Sequence, residues 1–351
     1  MLEMALSSAK GVSILKTLML FCSLILAALA HAADPGYHVI KKLHFSGGEG
    51  WDYPTVDGQA RRLYVSRGTH VMVIDIDSGK LVGDIPGTPG VHGIAIAPEL
   101  SRGFTSNGRA NTATIFDLKT LKIIGQVKTG TNPDAILYDT ASKRVFTFNG
   151  RSKDAAVFGA SSGEVAGTLA LGGKPEFATA DGKGKVFVNI EDTNELVELD
   201  SIKLEIRKRY SLSPCEEPTG MGLDPEHHRV FSGCHNKVMA VLDTEAGRVI
   251  AMVPIGEGVD GNGYDPGTGL VFSSNGDGTL TVVKESSPGQ FDVVEIVSTQ
   301  RGARTMAIDP KTHNIYLPTA DFVPPPALAP GVPKSRPTPI KDSFAVLVVG
   351  P

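Results

Sequence analysis

The chain is poor in the features that would name a chemistry. It has three cysteines, Cys22, Cys215 and Cys234, and no C-x-x-C-H, so it carries no covalently attached haem. It has a single tryptophan, Trp51. It has no basic run, and its formal charge is -4, which leaves no electrostatic footprint for nucleic acid. After residue 29 it has no long apolar run, so no transmembrane domain is expected once the N-terminal segment is removed. No stretch holds a helical period for long. What is abundant is punctuation, 40 glycines and 23 prolines, which suits an all-β chain with many turns.

The N-terminal segment reads as an export signal. Lys10 and Lys16 give the positive region, Leu18 to Leu29 the apolar region, and Ala30-His31-Ala32 a small-x-small cleavage site. Residues 1–32 are therefore expected to be a signal peptide and 33–351 the mature domain, periplasmic or secreted. The segment carries Lys10 and Lys16 against Glu3, a balance of +1, so the mature chain stands at -5.

From there the sequence repeats. The clearest unit is Glu217 to Gly258, in which MGLD, RVFSG, VMAVLD and RVIAMVPIG are short apolar strands separated by turns at PEHH and TEAG. Blade 1 covers Gly50–Gly87, with PTVD, RLYVS, VMVIDI and KLVGDI. Comparable units begin at HGIAIA, DAILYD, EFATAD, GNGYD and TMAID. The last has only NIYLPT and SFAVLVVG after its first strand, and Tyr37 to Phe45 matches the missing fourth. The expectation is all-β: a seven-bladed β-propeller of four-stranded blades, closed by the N-terminal strand completing the last blade.

The repeat supplies a register. Asp52, His92, Asp134, Glu176, Thr219, Asp260 and Arg304 each precede a first strand, at spacings of 40, 42, 42, 43, 41 and 44. All are polar, four are carboxylates, and together they should ring one mouth of the central channel. Positions after the second strands, among them Asn107, Asn149, Asn189 and Asn275, should face the same end, with Trp51 and Asn262 beside the ring. Trp51 would either stack on a ligand or plug the mouth. These residues are the candidates for binding a small molecule or protein partner. Asp52, Asp134, Glu176 and Asp260 are candidate ligands of a divalent cation, the one cofactor this pattern suggests. His92 is a candidate transition-metal ligand or general base, and Arg304 a grip for an anion. The bland alternative is a solvated rim whose charges pair across blades. No residue is assigned as catalytic.

Two more features belong to that face. Cys215 and Cys234 enter and leave the first two strands of one blade, and in an oxidising compartment they should form a disulfide. The rival is a redox or metal pair with His235. Asp321–Asp342 holds seven prolines and replaces a short turn in the last blade, as a lid, a docking segment or a tolerated insertion. Other signals are turns. Gly159-Ala160-Ser161-Ser162-Gly163 fits a nucleophile elbow but falls in a hairpin, Asp75 to Gly79 lacks the glutamate of a calcium loop, and His227-His228 falls in a turn on the opposite face.

The unit RRLYVSRGTHVMVIDIDSGKLVGDI, and again HRVFSGCHNKVMAVLDTEAGRVIAMVPIG, resembles the YVTN-type repeat of the YncE-like seven-bladed propeller family. The nearest approach to the tetrapeptide itself is Tyr64-Val65-Ser66-Arg67. The resemblance spans the mature chain and implies an exported propeller. It implies no chemistry, since members resembling it range from nucleic-acid binders to surface proteins and, more distantly, lactone-hydrolysing propellers. Three functions follow: a binding module, a metal-dependent lactonase-type hydrolase, and an accessory of a periplasmic redox system. The first leads, and a monomer is expected.

Overall fold

The computed structural model describes residues 36–47, 50–323 and 338–351, with Tyr37–Gly350 forming one compact unit. The expected signal peptide, and the interior of the proline-rich segment, lie outside the described residues.

Alternating apolar sequence becomes seven four-stranded antiparallel sheets. In blade 1 the strands are Pro54–Asp57, Arg62–Ser66, Val71–Asp75 and Lys80–Ile85, paired in that order. The second and third strands of each blade are buried on both faces, and most of their residues are apolar. Along Arg62–Ser66, Leu63 and Val65 enter the cluster shared with the last blade, while Tyr64 enters the one shared with blade 2. Seven such clusters occupy the seven spaces between neighbouring blades, so the hydrophobic core is divided around the circle. The outer strands are half in water; Lys80–Ile85 buries only its last residue.

The last blade combines Ala307–Ile308, Ile315–Thr319 and Ala345–Gly350 with the N-terminal strand His38–His44, which lies antiparallel to Ala345–Gly350. The first and last strands of the described residues thus share one sheet. Tyr37 meets Phe272 of blade 6 edge-on, with ring centroids 5.0 Å apart, and Leu43 packs in the cluster with blade 1. Closure removes the edges that an open sheet would expose.

Several hairpins follow one rule. An aspartate ending the third strand takes the turn's backbone N–H groups: Asp75 from Ser78, Asp117 from Lys119 and Thr120, Asp243 from Glu245 and Ala246. The G-x-S-x-G sequence is a hairpin turn without that aspartate, since its third strand ends at Gly159. Gly163 sits at φ 73° and donates to the Gly159 carbonyl at 2.8 Å, so no nucleophile elbow exists there.

Candidate functional site

Four of the seven register-equivalent residues are held at one end of the blades by bonds to the second strands. The Ser106 hydroxyl donates to the Asp134 carbonyl of the next blade, Asn189 donates to the Thr219 carbonyl at 2.7 Å, and Ser274 donates to the Arg304 carbonyl. Within blade 1, the Asp52 N–H donates to the Ser66 hydroxyl at 2.9 Å. Each mouth residue mentioned is therefore fixed through its backbone, leaving its side chain free to face its neighbours.

Those side chains form cross-blade ion pairs. His92 Nδ1 lies 2.7 Å from Asp52 Oδ2 and 3.6 Å from Asp134 Oδ1. Arg304 Nε lies 3.1 Å from Asp260 Oδ2. Lys174 Nζ lies 3.1 Å from Glu176 Oε2 and also contacts Glu191. Thr219 differs from the rest. It is buried, and its hydroxyl turns to its own strand's N–H and to the Val259 carbonyl.

The floor of the mouth was not foreseen. Tyr53 follows Asp52, Phe177 follows Glu176, and their rings meet edge-on with centroids 5.2 Å apart. These residues come from blades 1 and 4, well apart around the circle, so the pair spans the channel. The corresponding positions elsewhere are Gly93, Ala135, Gly220, Gly261 and Thr305. At Gly220 a Cβ would come within 2.6 Å of the Asn262 backbone N, so the inner strands there approach too closely for any side chain. The signal was present one residue beyond each ring position, where two large aromatics stand among small residues.

Burial sets the electrostatics. Asp134 is raised well above the carboxylate range by burial and then by the charge of Asp52. Glu176 is raised by burial and then by Asp134, since one Lys174 ammonium serves both Glu176 and Glu191 and neutralises only part of that charge. Burial alone would lower the His92 imidazole, but the hydrogen bond to Asp52 and the charges of Asp134, Asp52 and Glu176 push it up to about 9. Tyr53 is raised by burial and by Asp260, Glu176, Asp134 and Asp52. All four carboxylates thus act on one phenol.

Several expected members of the site have other work. Asn107 is buried and accepts from Thr105 while donating to Thr112 and Thr114. Asn149 donates to Asp154 at 2.6 Å, Asn275 to Thr279 and Thr281, and Asn262 to Ser273. Their amides knit strands inside the blades. Trp51 packs on Phe344 and Phe322, with centroids 5.5 and 6.0 Å away, and lies in the cluster between the last blade and blade 1. Its ring thus packs between blades, apart from the Tyr53–Phe177 pair. Asp52, His92 and Asp134 converge, whereas the pairs with Lys174 and Arg304 engage Glu176 and Asp260.

Cys215 and Cys234 are joined in a disulfide, with Cα atoms 5.5 Å apart. His235 pairs instead with Glu217 at 2.5 Å. His227 is not simply solvated, since Nδ1 lies 2.7 Å from Asp224. The root of the proline-rich segment is described. Phe322 bridges Pro339, Val323 donates to the Thr338 carbonyl, and Phe322 lies against Gly302, close in sequence to Arg304.

No family model matches the chain, and no curated protein matches it. Among solved structures, a chain of hydrazine synthase from Kuenenia stuttgartiensis is similar in fold, with a TM-score of 0.69 over 77% of this chain and 92% of that chain. The identity is 14%, so the likeness is one of fold. Among the described residues no helix is long and apolar enough to cross a membrane.

Proposed function

We propose that this chain is an exported binding propeller of the YVTN-repeat type, whose channel mouth takes a small molecule or the tip of a protein partner. The observation that carries this reading is the cup itself. Charged side chains from six blades converge on a mouth that Tyr53 and Phe177 floor, and a concave polar site over an aromatic base is a common form of ligand pocket. Export is supported by the pattern of residues 1–32 and by the disulfide, which fits an oxidising compartment. The second reading, a lactonase-type hydrolase with a cation held by some of Asp52, Asp134, Glu176 and Asp260 and His92 as base, ranks below it, because Lys174 and Arg304 engage Glu176 and Asp260 and His92 is itself paired with Asp52. The redox-accessory reading has no residue to recommend it, and the activity of hydrazine synthase is not carried over at 14% identity.

The test is a thermal-shift screen of residues 33–351 with lactones, quinones, small anions and amines. A ligand that binds the native state raises Tm by mass action. The expected hit loses its shift in Tyr53→Ala or Arg304→Met. A panel without any shift, together with no partner retained through the mouth face, defeats the proposal.

A further inference from the structure

Five histidines among the described residues pair with carboxylates: His70, His92, His227, His235 and His313. Four of them meet one carboxylate each. His92 alone stands between two, Asp52 and Asp134. Its Nδ1 and one oxygen from each aspartate lie within 4.8 Å of one another, the one such group of three among the described residues. Gly108 makes room for this placement, since a Cβ there would come within 2.8 Å of His92 Nε2.

The spacing suits an ion. A tetrahedral centre with ligands at about 2.1 Å holds its donor atoms roughly 3.4 Å apart. The His92–Asp134 separation of 3.6 Å already meets this, and the 2.7 Å His92–Asp52 contact must open by less than an ångström. One imidazole nitrogen with two carboxylate oxygens is a borderline donor set. It favours zinc and its neighbours over calcium, which takes six to eight oxygens. Three protein ligands leave the ion an open position, as catalytic and ligand-binding centres do.

A second observation points the same way. Tyr53, next in sequence to Asp52, is 7% exposed and meets Phe177 edge-on at 5.2 Å, so the cluster stands beside an aromatic floor. A ligand held on the open position of an ion there would lie against these rings. Glu176 and Asp260 stay with Lys174 and Arg304, so the donor set is not the four carboxylates that the sequence suggested.

We propose that Asp52, His92 and Asp134 form a mononuclear site for a divalent transition metal, whose open position faces the floor of the mouth. This rests on the mouth being the binding site and names what first occupies it. Chelator-stripped protein is dialysed against Zn(II), Co(II) and Ca(II), and bound metal is measured. The expected result is one equivalent of Zn(II), visible absorption of Co(II), and no competition by Ca(II). His92→Gln and Asp134→Asn should each weaken Zn(II) by roughly tenfold or more. His313→Gln, which alters a comparable pair at 2.7 Å from Asp265, should leave affinity unchanged. A readout on the wild type guards against misfolded variants: Zn(II) should protect His92 from diethylpyrocarbonate, read by mass spectrometry. Zn(II) well below one equivalent, unprotected His92, or a preference for Ca(II) overturns the proposal. Organic ligands that still shift Tm in that event would leave the mouth as a binding site without a metal, whereas metal binding alone would remove the organic ligand instead.

Discussion

Tyr53 carries most of what distinguishes this propeller at its mouth. Its ring spans to Phe177, and its hydroxyl is raised well above the usual phenol range by burial and then by the charges of four carboxylates. The two parts of the side chain therefore predict different outcomes. Tyr53→Ala removes the ring and leaves a cavity, at a cost of about 3–5 kcal/mol by analogy with other large aromatic truncations. Tyr53→Phe keeps the ring and removes only the hydroxyl, so metal-free stability should change by less than about 0.5 kcal/mol. Urea unfolding of the stripped protein separates the two. A large loss in the phenylalanine variant would show that the hydroxyl is bonded. Gly108 offers a second prediction at this scale. Gly108→Ala crowds His92 Nε2 at 2.8 Å and should turn the imidazole from Asp52, read as a shift of the His92 resonances by NMR.

Blades are legible in sequence because each strand has a covered face and each hairpin has its own chemistry. The apolar period of two, the aspartate at Asp75 and Asp243, and glycine at Gly79 and Gly247 recur at fixed offsets. Hence the N-terminal strand could be assigned to the last blade, and the disulfide could be placed. The side-chain partners at the mouth were less legible. Asn107, Asn149 and Asn275 looked like ligands because they end strands near the mouth, but a strand-end amide also faces its own sheet, where threonine hydroxyls and Asp154 were waiting. Which neighbour wins depends on rotamers that spacing does not encode. Two predictions belong to these elements. Leu43→Ala, in the closing strand, should cost about 2–5 kcal/mol, because it opens the space between the first and last blades. Reducing the Cys215–Cys234 bond releases a separation of 19 residues and should cost roughly 3 kcal/mol on the chain-entropy account. Chemical denaturation with and without reductant measures the second, and a Cys215→Ser, Cys234→Ser variant should show no effect of reductant.

For the molecule as a whole, the mouth is where charge has been gathered against the preference of water, and stability should record this as pH changes. Glu176 is pushed up to about 8 by burial first and then by Asp134, Glu191 and Asp260, with Lys174 opposing. Its folded value lies above its unfolded one, so the folded state holds the proton more tightly. Stability should therefore fall as pH rises from about 4.5 toward 8, where the buried group must ionise. His92, raised to about 9, acts in the same direction, since its charge is kept in the fold and lost as pH climbs through that value. The hairpin aspartates act elsewhere. Asp200 is held down to about 2 by the Lys203 backbone N–H and Arg207, and its contribution disappears only as pH falls from about 4 toward 2. The molecule should thus be most stable in mildly acidic solution. Glu176→Gln keeps the shape, removes the titration and leaves Lys174 its Glu191 partner. The loss of stability between pH 6 and 9 should shrink by on the order of 1 kcal/mol, as followed by urea unfolding of stripped protein. Equal slopes in the wild type and this variant would mean that solvent or Lys174 already neutralises Glu176, and that the cup is wetter than its burial suggests.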